Sequence, residues 1–88
     1  MQTQEVTIKN RAGIHARPAA LIVQTANEYK CEIFLEKDNN SINAKSIMGI
    51  ITLGAGYNSI VVVKTDGSDE DDALQAIVKL FENRFEEE

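Results

Sequence analysis

The chain is short of the residues that usually announce a function: it has one cysteine, one proline, one histidine, no tryptophan and five other aromatics among 88 residues. A single thiol, Cys31, can form neither an internal disulfide nor a zinc cluster, and reads as a reduced, half-buried side chain. The longest uninterrupted apolar runs, Ala19 to Val23 and Ile60 to Val63, fall far short of the roughly 20 residues that cross a bilayer, so no membrane insertion is expected. The opening Met1-Gln2-Thr3-Gln4-Glu5 lacks the basic-then-apolar pattern of a signal peptide, and a cytoplasmic location is expected. There is no glycine-rich nucleotide loop and no acidic metal cluster. The expectation is therefore no cofactor and no metal, and a chain poorly equipped to activate ATP by itself.

Charge excludes more. Fourteen carboxylates against nine basic side chains leave a net charge of −5, which argues against a nucleic-acid partner needing extended basic surface. With so few aromatics, a base-stacking sheet is equally unsupported. The mean conceals a division, however. Residues 1–64 carry seven basic and five acidic side chains, a net of +2, whereas residues 65–88 carry two and nine, a net of −7. No carboxylate side chain occurs between Val6 and Asn27, where Lys9, Arg11, His15 and Arg17 all fall. That stretch can attract an anion.

The length is that of one domain, residues 1–88, with one core. Val6 and Ile8 alternate with Thr7 and Lys9, which predicts a first strand. Pro18 fits the first turn of a helix beginning just after His15, and Ala19, Ile22, Val23 and Ala26 give it a buried stripe. Cys31 to Glu36 alternates again. Asp38-Asn39-Asn40 predicts a hairpin turn, and Ser41 to Ala44 a third strand. Ser46 reads as the N-cap of a helix over Ile47 to Leu53, with Gly54 as its left-handed C-terminal residue. Ser59 to Lys64 predicts a buried strand built on Ile60-Val61-Val62-Val63. Ser68 is expected to cap a last helix, with Leu74, Ile77, Val78, Phe81 and Phe85 as its buried stripe and Glu86-Glu87-Glu88 as a frayed tail. Strand, helix, two strands, helix, strand, helix implies an α+β sandwich, an antiparallel sheet with helices on one face.

The chemistry concentrates on the single histidine. Asn10-Arg11-Ala12-Gly13-Ile14-His15-Ala16-Arg17-Pro18-Ala19 puts His15 between a strand and a helix start. The unpaired N–H groups of a first helical turn form an anion site, and Arg17 adds a fork of donors suited to phosphate. A neutral imidazole carries a nitrogen lone pair able to attack phosphorus. From spacing alone, a histidine that merely caps or packs remains the simpler reading.

Resemblance adds to this. Ile14-His15-Ala16-Arg17-Pro18-Ala19 resembles the active-site motif of the HPr family, the histidine-containing phosphocarriers of the phosphoenolpyruvate-dependent sugar phosphotransferase system. Lys45-Ser46-Ile47-Met48-Gly49-Ile50 resembles the same family's regulatory-serine motif. The resemblance implies an open-faced β-sandwich of order 1-4-2-3, with three helices on one side. It implies that His15 accepts phosphate on Nδ1 from enzyme I and passes it to an enzyme II A domain, with Arg17 and the backbone N–H groups of Ala16 and Arg17 as phosphate partners. Ser46 becomes the target of an HPr kinase/phosphorylase, which would add about −1.5 to −2 charges near pH 7, and a transcriptional regulator becomes a further partner. Ala20, Gln24, Ile47, Met48 and Ile51 become a docking surface; the plain reading of Ile47, Met48 and Ile51 is core, since a short helix must turn at least one residue inward, with docking favoured for Met48 and Ile51 open between the two. A monomer is expected.

Two features depart from the pattern. Ala12 stands where many members of the family carry Ser or Asn, so it offers only its backbone. Phe34 faces away from Ile33 and Leu35, an outward aromatic. The alternative to a sugar-transport carrier is a regulatory binding module acting mainly through Ser46, or a nitrogen-type phosphorelay.

Overall fold

Period-two alternation and helical stripes translate into seven elements in the computed structural model, which describes residues 1–86. They are β1 (Gln2–Thr7), α1 (Ala16–Ala26), β2 (Glu32–Lys37), β3 (Asn40–Asn43), α2 (Ile47–Leu53), β4 (Ile60–Asp66) and α3 (Glu70–Glu82), followed by a short turn over Arg84–Glu86. The strands form one antiparallel sheet in the order β1-β4-β2-β3, the α+β open-faced arrangement that the resemblance implies.

One face of the sheet makes the core. Val6, Ile33, Leu35, Val61 and Val63 point inward to meet Ala19, Ile22 and Ala26 of α1, Ile50 of α2, and Leu74, Ile77, Val78 and Phe81 of α3. The other face is open, and this corrects the reading of β4 as buried on both sides. Its burial alternates, with Val61, Val63 and Thr65 inside while Ile60 is 56% exposed. Phe34 lies on the open face as expected, but half-buried, with Lys64 and Asn43 as its cross-strand neighbours. Lys64 forms an ion pair there with Glu36.

Several boundaries shift for physical reasons. β1 begins at Gln2, before the apolar alternation, because Gln2 to Glu5 are held by ladder bonds to β4 rather than by burial. The β2–β3 hairpin turns on Asp38 and Asn39, both at positive φ (51° and 68°), as their side chains permit. Cys31 is 3% exposed, more deeply buried than expected.

The last helix differs most. Ser68 does not cap it; the N-cap is Asp69, whose carboxylate reaches across the chain to accept from Lys30 N–H (2.8 Å) and Cys31 N–H (2.9 Å). Glu70 accepts from Gly67 N–H at 3.0 Å and meets the N-terminal ammonium at 3.2 Å. Gly67 is needed because a Cβ there would lie 2.7 Å from Cys31 Cβ. Helix α3 ends at Glu82, so Phe85 is not on its stripe. Phe85 is nonetheless fully buried, carried inward by a turn in which Arg84, Phe85 and Glu86 all have positive φ, and its ring meets Phe81 edge-on at 4.8 Å. Glu86 belongs to that turn rather than to a frayed tail, and Glu87 and Glu88 lie outside the described residues.

Candidate functional site

The segment leading into α1 is shaped before it reaches the histidine. Ile8 completes the pairing of β1, donating to Ser59 O (2.9 Å) and accepting from Asn58 N–H (2.8 Å). Asn10 to Gly13 then forms a turn closed by Gly13 N–H to Asn10 O at 3.1 Å, with asparagine first and glycine fourth, as such turns favour. Gly13 has φ +72°, and a Cβ on it would lie 2.9 Å from both Ala55 O and Gly56 Cα. Only glycine permits both the conformation and the approach. Ile14 N–H donates to Ala55 O at 2.9 Å and its side chain is buried. The chain that follows α2 thus supports the chain that precedes α1.

His15 is the N-cap residue of α1, in an extended conformation, and its side chain does not serve as the helix cap. Its carbonyl accepts from Ala19 N–H at 2.9 Å, which starts the helix. Ala16 and Arg17, the first two helical positions, have no intrahelical acceptor for their N–H groups, and Pro18, the third, has no N–H. No acidic residue occupies this first turn. His15, Ala16 and Arg17 are exposed while Pro18 and Ala19 are buried, so the helix is anchored by the residues directly after the exposed ones. The arrangement presents two backbone donors, a guanidinium and an imidazole to solvent at the positive end of a helix, the setting in which a phosphate is stabilised.

The remaining singled-out residues occupy two helix faces. Arg17, Ala20 and Gln24 follow i, i+3, i+7 spacing along one side of α1; Ala20 is half-buried and Gln24 exposed. Ser46 is the N-cap of α2 as expected, its Oγ accepting from Gly49 N–H at 3.2 Å, and Gly54 ends that helix with φ 65°. Ile47, Met48 and Ile51 are 45%, 68% and 41% exposed. The expectation that one of them must turn inward is corrected: Ile50, fully buried, is the residue that anchors α2. Helix α1 packs against α2, so the two faces belong to neighbouring helices. Ala12 is exposed and brings no side-chain polar group to the loop.

Two further residues contribute to the site, Ala55 and Asn10. In the 54–58 segment the Ala55 carbonyl holds Ile14 N–H, and nothing local in the sequence marks that contact. Asn10 is the other, and its signal is local: Asn-x-x-Gly is a turn pattern. Among the described residues, no group of His, Cys, Asp and Glu could hold a metal ion, and no helix is long and apolar enough to cross a membrane.

Known proteins share both sequence and fold. A family model, PTS-HPr, described as the PTS HPr component phosphorylation site, matches residues 2–83. The phosphocarrier protein HPr of Treponema pallidum is 50% identical over the whole of both chains. The crystal structure of HPr-C-His from Thermoanaerobacter tengcongensis superposes with a TM-score of 0.96 at 49% identity, covering 100% of this chain and 99% of that one. A second structure, an HPr dimer from the same organism, gives 0.78 at 48% identity over 97% and 98%.

Proposed function

The chain belongs to the HPr family of the phosphotransferase system, and on that premise we propose that it is a phosphocarrier whose acceptor is Nδ1 of His15. The observation that carries the reading is the start of α1: an exposed histidine beside two N–H groups without intrahelical acceptors and an exposed guanidinium, with no carboxylate in the turn. The imidazole lone pair attacks phosphorus on enzyme I, an N–P bond forms on His15, and the donor's bond to phosphorus breaks with its electron pair returning to the donor. Arg17 and the N–H groups of Ala16 and Arg17 offset the charge on the phosphoryl oxygens. The same exchange, reversed, delivers the group to an enzyme II A domain. The protein is a stoichiometric relay rather than an enzyme, working as one domain over residues 1–88 in the cytoplasm.

Docking is read onto Ala20, Gln24, Ile47, Met48 and Ile51. The partners present acidic surface to Lys9, Arg11 and Arg17. One chain carries one phosphoryl group, as a monomer; the dimeric relative counts against extending that to the whole family.

The exposed Ser46 cap favours a second, regulatory layer. Phosphorylation by an HPr kinase/phosphorylase would leave charge tolerated at the N-terminus of α2 while repelling acidic partners, and a transcriptional regulator could read the same mark. A module acting mainly through Ser46, or a nitrogen-type relay, would use this layer as its main output.

Incubation with phosphoenolpyruvate and enzyme I should add one acid-labile phosphoryl group by mass, and His15→Ala should add none. An unchanged wild-type mass with a competent enzyme I overturns the carrier reading.

A further inference from the structure

The loop before His15 contains one side-chain amide, and it is fully buried: Asn10 is 0% exposed although its neighbours Lys9 and Arg11 are exposed. Its Nδ2 donates to Gly13 O at 2.6 Å. A carbonyl oxygen only accepts, so this contact requires the nitrogen of the amide and could not be made by a carboxylate. The peptide bond between Gly13 and Ile14 is therefore held at both polar ends, its C=O by Asn10 and its N–H by Ala55 O at 2.9 Å. His15 is the next residue. A peptide plane clamped on both sides leaves little freedom in the direction from which the His15 backbone departs, whereas the exposed residues after it, Ala16 and Arg17, supply no packing restraint of their own.

The geometry points to Asn10 as the positioning residue of His15: through the Gly13–Ile14 peptide it fixes where the imidazole stands relative to the N–H groups of Ala16 and Arg17. This rests on the carrier reading and adds to it a residue that touches neither phosphate nor partner. Because Ala12 brings no polar side chain, Asn10 is the side chain that organises this turn. Phosphoryl transfer is sensitive to such placement, since displacement of a reacting group by about 1 Å can slow a reaction 100-fold. The docking residues on α1 and α2 lie elsewhere, and the exposed Lys9 and Arg11 that flank Asn10 are retained in both variants, so the effect belongs in kcat rather than in KM.

The test compares wild type, Asn10→Ala and Asn10→Asp as substrates of enzyme I with phosphoenolpyruvate, alongside thermal unfolding and the NMR resonances of the His15 imidazole. Asp keeps the shape and loses the donor. The expected result for both variants is a kcat lowered roughly tenfold or more with KM for the carrier unchanged, and displaced imidazole resonances in a protein that still unfolds cooperatively. Equal kcat in folded variants, or imidazole resonances that do not move, overturns the assignment. Should both variants fail to fold, the wild-type protein decides: protected Asn10 side-chain amide protons support the clamp, and protons exchanging as fast as those of a free amide overturn it. A wild-type protein that takes no phosphate refutes the carrier reading instead, and the imidazole resonances still read the positioning.

Discussion

The beginnings of α1 and α3 face the same electrostatic demand and meet it in opposite ways. Every helix start exposes N–H groups with a partial positive charge. At α3 the protein meets that charge with its own carboxylates: Asp69, Glu70, Asp71 and Asp72 crowd the turn. Asp69 is in addition bound to the Lys30 and Cys31 amides, and Glu70 to Gly67. The backbone bond from Lys30 is the main reason that Asp69 titrates below the usual carboxylate range, and the bond from Gly67 does the same for Glu70. At α1 there is no carboxylate and the residues presented are Ala16 and Arg17, while the N-cap side chain makes no capping bond in either helix. One start is closed and structural. The other is exposed and carries no carboxylate of its own, and its loop is held by contacts further back, at Asn10, Gly13 and Ala55.

The sharpest way to break this contrast is to give α1 the chemistry of α3. In Arg17→Glu a carboxylate enters the first turn, where it suits the helix dipole and should stabilise the helix by about 0.3–1 kcal/mol. The same charge repels a phosphoryl group, and the substitution removes the guanidinium proposed as its partner, so acceptance from enzyme I should fall roughly 100-fold or more, the scale of losing one oxyanion donor. Stopped-time phosphorylation assays with parallel urea unfolding measure both. A variant that loses stability and keeps its transfer rate would mean that the open start serves the fold.

Gly67→Ala attacks the closed start. The new methyl would meet Cys31 Cβ and Cα at 2.7 and 2.8 Å, and the strained backbone at φ +150° is one that alanine tolerates poorly. A loss of roughly 1–3 kcal/mol in unfolding free energy is expected, with unchanged phosphorylation of whatever remains folded. A loss of phosphorylation in the folded fraction would show that the two starts are coupled.

Acid probes the closed start without mutation. Asp69 and Glu70 are held below their ordinary pKa values in the folded chain, so the unfolded chain takes up protons first as the pH falls. Their stabilisation is complete above the ordinary carboxylate range and is lost as the pH drops through their folded values. Urea midpoints measured stepwise below pH 5 should therefore fall more steeply for the wild-type chain than for Asp69→Asn. Parallel curves would remove Asp69 from the account. The alkaline side has a counterpart in Cys31, which burial, reinforced by Asp69, pushes up to about 11. The unfolded thiol ionises first as pH rises from 9, so stability should decline between those values.

How much of this contrast was readable beforehand follows from the range of the interactions. Period-two and period-three-to-four patterns are local, and the elements they predict are the ones observed. The motif around His15 and the cap at Ser46 are local as well, and both stand at the helix starts expected of them. Where the structure departs from the local pattern, the cause lies elsewhere in the fold. Ser68 looked like a cap because nothing nearby reveals that Asp69 will bind amides 38 and 39 residues away. Phe85 continued a helical stripe on paper, yet the helix had already ended at Glu82 and a left-handed turn brought the ring in. Ile60 belonged to an apolar run, and only the absence of a second covering layer leaves it exposed.

Ser46 stands between the two extremes and gives the smallest and most discriminating effect. Its hydroxyl meets the demand of α2 with a neutral acceptor, through one bond to Gly49 N–H at 3.2 Å. Ser46→Ala removes that acceptor and should cost about 1 kcal/mol, the usual worth of an N-cap. Ser46→Asp retains a capping oxygen and adds charge at the favourable end of the helix, so its unfolding free energy should stay within about 0.5 kcal/mol of wild type. If Ser46 is only a cap, Ser46→Asp will accept phosphate from enzyme I as wild type does. If it is a regulatory position, Ser46→Asp will be the slower substrate while being the more stable of the two variants, an ordering that loss of folding cannot produce.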